Sequence, residues 1–174
     1  MRLEYQILSA VAIDLAVGDP RWLPHPVRGI GRLALWLEKS SRRVLGATRT
    51  AGLVAALATY MVVGAATWGT IRVAAAVHPW AADAAAILVI YTTIAAHDLA
   101  RHSMAVFHPL VAGDLVEARR QVGAIVGRDT QRLDEAGVIR AAVESVAEST
   151  VDGVTAPLFF AAVAGPVGAM VYRG

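Results

Sequence analysis

Residues 51–77 read AGLVAALATYMVVGAATWGTIRVAAAV, and the first charge in that run is Arg72, so 21 consecutive residues from Ala51 to Ile71 carry none. About 20 mostly apolar residues are enough for a helix to cross a bilayer. Gly52, Gly64 and Gly69 suit the close packing of helices in lipid, and the run has almost no polar face to offer water. Outward from it, the same signal returns at 80–96, after a His78-Pro79 break and with Asp83 near its start, and at 153–172, 20 uncharged residues interrupted by Pro157 and Pro166. A fourth stretch, 3–17, is shorter and holds Glu4 and Asp14. With only Arg2 before it and no A-x-A pattern after it, it is not expected to be a cleaved signal peptide. The competing reading of all four stretches is a soluble Ala-rich bundle that buries them.

Composition agrees with a bilayer. Of 174 residues, 56% are hydrophobic and 17% charged, against about 45–50% and 25% in ordinary soluble domains, and the mean hydropathy is +0.53. So little charge excludes disorder and a nucleic-acid partner. The absence of cysteine excludes thiolate metal sites and thiol nucleophiles. Residues 18–50 hold seven cations (Arg21, Arg28, Arg32, Lys39, Arg42, Arg43, Arg49) and residues 97–153 hold six (Arg101, Arg119, Arg120, Arg128, Arg132, Arg140), whereas the turn between the middle spans has only Arg72 at its margin. Positive-inside asymmetry therefore assigns 18–50 and 97–152 to the cytoplasm and the His78-Pro79 turn to the opposite side.

Segment 97–152 reads as helices over about 97–111, 114–126 with Asp114 as N-cap and Glu117 three residues on, and 133–149. No strand is expected. The fold class is all-α: one membrane domain of multi-pass transmembrane helices with a helical cytoplasmic insertion.

Three stretches could carry chemistry. Arg140, Glu144, Glu148 and Asp152 recur every fourth residue, so they share one helical face. That stripe is either a solvated face or a place where carboxylates hold a divalent cation with phosphate. GRDT at 127–130 offers Arg128 to an anion and Asp129 to a metal; it also reads as an ordinary loop with a cap. LAVGDPRWLPHPVRGIG at 15–31 has three prolines that stiffen the path, Trp22 at interface depth, and His25 and Arg28 to face anions. His97, His102 and His108 do not have H-x-x-x-H spacing.

Together with AVESVAESTVDGVTAPLF at 142–159, these motifs resemble in order and spacing the CobD/CbiB family of cobalamin biosynthesis, the adenosylcobinamide-phosphate synthases. The resemblance covers essentially the whole chain. It implies a multi-pass enzyme of the bacterial cell membrane, a C–N ligase that uses ATP and Mg²⁺. Its substrates would be the corrinoid adenosylcobyric acid and aminopropanol or its O-phosphate, joined as an amide after an acyl phosphate is formed. On that analogy Glu144, Glu148, Asp152 and Asp129 are catalytic candidates, the first three as metal ligands. Arg128, Thr130, Asp19, His25 and Arg28 are candidates for substrate or phosphate. An oligomer, or a complex with other membrane enzymes of the pathway, would be compatible. Two departures stand out: Ser149 where the family has Asn, and an end at Tyr172-Arg173-Gly174 where family chains, nearly twice as long, continue. The chain is thus expected to be an N-terminal portion, inactive if the rest is needed to close the site. A corrinoid-binding or scaffold subunit without catalysis, and a transporter fragment coupling ions through the acidic stripe, are the other readings.

Overall fold

The structure, a computed structural model, describes residues 1–20, 26–127 and 129–174. Every regular element among them is helical: α1 (Leu3–Val17), α2 (Pro26–Leu45), α3 (Arg49–Val77), α4 (Pro79–Tyr91), α5 (Ala96–Val111), α6 (Leu115–Gly123), α7 (Glu135–Thr150), a π turn (Val151–Thr155) and α8 (Ala156–Tyr172). The expected all-α class holds.

Local chemistry sets the boundaries. Thr48 caps α3 by accepting the Ala51 N–H at 3.2 Å. His78 ends that helix in extended backbone and starts the next, its Nδ1 accepting the Trp80 N–H at 3.2 Å, while Pro79 fills a first-turn position that needs no donor. Asp114 and Asp134 cap α6 and α7 through the Glu117 and Gly137 N–H groups, at 3.0 and 2.8 Å. Only half of a capping box forms at α6. The Glu117 carboxylate turns to Arg120 and Gln121, which hold its carboxyl down at about 2, and the Asp114 N–H goes to the Pro109 carbonyl instead. The helix also stops at Gly123, three residues short of the expected 126, because the chain turns there with the Ala124 N–H on Gln121 O.

α3 decides between membrane and soluble bundle. Its buried residues are Ala51, Ala55, Thr59, Val63 and Thr67, one small-residue stripe at four-residue spacing. Its large side chains, among them Leu53, Leu57, Met61, Trp68 and Val73, are exposed. A soluble helix buries its large apolar residues; a helix facing lipid packs through its small ones. Three helical stretches are long and apolar enough to cross a membrane: Arg49–Val77, Pro79–Val111 and Glu135–Tyr172. The shorter α1 is not among them; it lies along α4 and α8, with Ala10 in a core shared with Ile90, Tyr91, Ile94 and Ala161.

Two expected spans take other shapes. The second is not continuous over 80–96: it breaks at residues 92–95 between α4 and α5. The third, 153–172, is not a straight crossing. Twenty residues of straight helix would separate its ends by about 30 Å, yet the Tyr172 hydroxyl donates to Asp152 Oδ1 at 3.3 Å and the Tyr172 ring stacks on Phe160 with centroids 4.9 Å apart. The reversal falls at Ala164 and Gly165, where Gly165 has φ +65°, open to glycine without the Cβ penalty, and Pro166 withholds a helical donor. The segment is a helical hairpin.

Segment 18–50 contains a 20-residue helix, α2, folded back along α3; Ile30 packs with Val63 and Met170. Helices α5, α6 and α7 build a separate core from Val106, Ala118, Val122, Val138 and Ala141, so the helical insertion exists as a packed unit.

Candidate functional site

The break between α4 and α5 is where the motifs meet. Asp14, 1% exposed near the end of α1, accepts the Ala96 and His97 N–H groups on Oδ2 at 3.0 and 3.2 Å. It thereby fills the N-terminus of α5, which would otherwise leave bare donors in a partly buried place. Four residues on, Gly18 has φ +67°, and a Cβ there would lie 2.7 Å from the His97 ring; only glycine lets the ring seat. His97 Nδ1 lies 3.0 Å from Leu15 O. A carbonyl only accepts, so Nδ1 carries the proton. The Tyr91 hydroxyl donates to Gly18 O, and the Ala95 N–H donates to Gly153 O at 3.0 Å. The first motif in chain order (15–31) and the third (142–159) are therefore fastened to the two sides of one helix break. Irregular backbone of this kind persists at membrane depth only where protein satisfies it.

From that break the acidic stripe runs along α7. Asp152 sits in the π turn, tied to Tyr172 and, through its carbonyl, to Arg173 Nη1 at 3.4 Å. Glu148 and Glu144 follow, both exposed, spread over about 12 Å of helix axis. Spread this way, the three do not form a cage: among the described residues no three His, Asp or Glu side chains are grouped to hold a metal ion. Beyond them, the Ser145 hydroxyl donates to Ile125 O at 2.8 Å, which brings the GRDT loop to the far end of the same stripe.

The remaining candidates divide. Asp129 is exposed and caps its own loop, accepting the Gln131 N–H at 3.0 Å. Thr130 is buried and its hydroxyl is committed to Arg119 O at 2.9 Å; it holds the loop to α6 and has no hydroxyl to offer a phosphate. Asp19 is half-buried just past Gly18, and Arg28 is exposed in the first turns of α2. Arg128 and His25 lie outside the described residues. Sequence reasoning missed Asp14, Tyr91 and His97. The available signal was Asp14 itself, an acid deep in an apolar stretch, which in a membrane protein marks a partnered site.

These features define a helical membrane protein with a broken span braced by a buried carboxylate and an acidic stripe leading away from it. The chain belongs to the CobD/CbiB family, whose model, described as CobD/Cbib protein, matches residues 7–174. It is 47% identical over 167 residues to the cobalamin biosynthesis protein CobD of Geobacter metallireducens, covering 96% of this chain and 52% of that protein. It is 42% identical over 171 residues to the CobD protein of Leptospira interrogans (98% and 54%). To the cobalamin biosynthesis protein CbiB of Salmonella choleraesuis it is 41% identical over 167 residues (94% and 52%). The chain thus spans about half the length of the curated relatives it matches. No solved structure matches it.

Proposed function

We propose that this chain serves cobalamin biosynthesis, as part of a multi-pass enzyme of the bacterial cell membrane that joins adenosylcobyric acid to aminopropanol or its O-phosphate in an amide, at the expense of ATP. The observation that supports this best is the meeting of the first and third family motifs at the α4–α5 break, with carboxylates extending from it.

The acidic stripe fits Mg²⁺ in one particular way. Mg²⁺ commonly takes one or two carboxylates and completes its shell with water and substrate phosphates, so Glu144 and Glu148, exposed hard-oxygen donors one turn apart, would hold it, with Asp152 nearer the break. Bound there, the ion would neutralise phosphate charge during phosphoryl transfer. The protein's own contribution is placement. The π turn and its Gly153–Ala95 bond fix the stripe against the break, and Asp19 follows Gly18, which is bonded to Tyr91 on the other side of it.

The direct test is incubation of a protein containing this chain at its relatives' full length with ATP, Mg²⁺, adenosylcobyric acid and either amine. Formation of the amide supports the proposal. Retention of the corrinoid without turnover would replace it with a binding subunit. The orientation has its own test. Val116 is exposed on α6, and the chain has no cysteine, so Val116→Cys provides a single label site. An impermeant maleimide added to intact cells is expected to leave it unmodified and to modify it after permeabilisation; labelling from outside would reverse the topology.

A further inference from the structure

We propose that the corner formed by α2 and the start of α3 binds the headgroups of acidic phospholipids. Helix α2 carries Arg28, Arg32, Lys39, Arg42 and Arg43 against the single acid Glu38. At 100° per residue all five cations fall within an arc of about 100°, opposite the face that packs on α3 through Ile30 and Leu33. Arg42 pairs with Glu38 at 2.8 Å; among the described residues no ion pair engages Lys39, Arg43 or Arg49. Leu35, Glu38, Lys39, Arg42 and Arg43 together line one open face of α2.

Depth selects the occupant. α3 has 29 residues, about 43 Å of helix, whereas the hydrocarbon layer is about 30 Å thick. Measured from the His78-Pro79 turn, 30 Å of α3 reaches back to about Leu57. The turns before it, from Arg49, stand at headgroup depth together with the α2 residues beside them: Leu35 and Glu38 share a cleft with Gly52, Ala55 and Ala56. Lys39, Arg42, Arg43 and Arg49 are then level with lipid phosphates. Leu35 and Trp36, 69% and 64% exposed, sit about one turn deeper, where apolar and indole side chains anchor in the interface. A basic helix with an apolar flank at this depth is built for an anionic leaflet. Arg28, deeper on the stripe, belongs with the first motif.

The test uses the whole chain reconstituted in an equal mixture of phosphatidylcholine and phosphatidylglycerol, then mildly extracted so that retained lipid can be weighed by mass spectrometry. Phosphatidylglycerol is expected to be enriched severalfold over phosphatidylcholine. Lys39→Gln with Arg43→Gln should return the ratio to that of the bulk mixture. Arg132→Gln with Arg140→Gln, which removes the same charge elsewhere, should leave the enrichment intact, as should the charge-preserving pair Lys39→Arg and Arg43→Lys. Equal retention of both lipids by the parent chain, or enrichment that survives Lys39→Gln with Arg43→Gln, overturns the proposal. The readout is independent of amide formation, so it stands or falls apart from the enzymatic reading.

Discussion

Replacing Glu148 by glutamine, in a protein with this chain at its relatives' full length, is expected to lower amide formation by about two orders of magnitude or more while expression and membrane insertion stay near normal. Glutamine keeps the size and one acceptor of the side chain and removes its charge. Metal-assisted phosphoryl transfer draws several kcal/mol from such charges, and each decade of rate corresponds to about 1.4 kcal/mol. Stability should hardly change, because Glu148 is exposed on α7 and exposed carboxylates contribute little to folding. A merely solvated face makes the opposite forecast: easing the Glu144–Glu148 repulsion would help the helix by a few tenths of a kcal/mol and leave turnover alone. Turnover and retained Mg²⁺, measured side by side, separate the two. Unchanged amide formation would remove the metal role from this residue and leave family membership intact.

The second large effect falls on folding. Asp14→Ala strips the acceptor from two amides, those of Ala96 and His97. Losing a helix cap costs about 0.5–2 kcal/mol, and a donor left without a partner costs up to about 1–3 kcal/mol where it is fully buried, which these partly buried amides approach. The two overlap, so a loss of about 2–3 kcal/mol is expected, roughly 5–10 °C in Tm for a chain of this size. Asp14→Asn retains an oxygen in the same place and should cost less than half as much. Thermal unfolding of the purified chain in detergent checks both. An Asp14→Ala variant as stable as its parent would show that α5 finds its cap elsewhere.

What could be read in advance follows from the range of the interactions involved. The 51–77 span, the caps at Asp114 and Asp134 and the four-residue period of the stripe are local, carried by hydropathy or by a side chain three residues from its amide. The 153–172 hairpin was not legible from hydropathy, which counts apolar residues but not a change of direction; the Gly165-Pro166 pair was the trace of it. Asp14 looked like an interruption because the amides it serves are 82 and 83 positions away in sequence. Thr130 looked available because a motif shows a hydroxyl without showing that Arg119 O already holds it. The stripe's period was right, but a shared helical face spreads carboxylates along an axis and does not gather them around a point.

The third motif is seated on the α4–α5 break through the Ala95–Gly153 bond and so meets the first there. A Cβ placed on Gly153 would lie 3.8 Å from the Ala95 Cβ, the mean separation across a disulfide, and no native cysteine competes. The double variant Ala95→Cys with Gly153→Cys, oxidised in membranes, should form an intramolecular crosslink that removes both thiols from maleimide labelling and that dithiothreitol restores. Two thiols that stay free and reactive after oxidation, in a protein that is inserted and resists heat like its parent, would show that the third motif is not seated on the break.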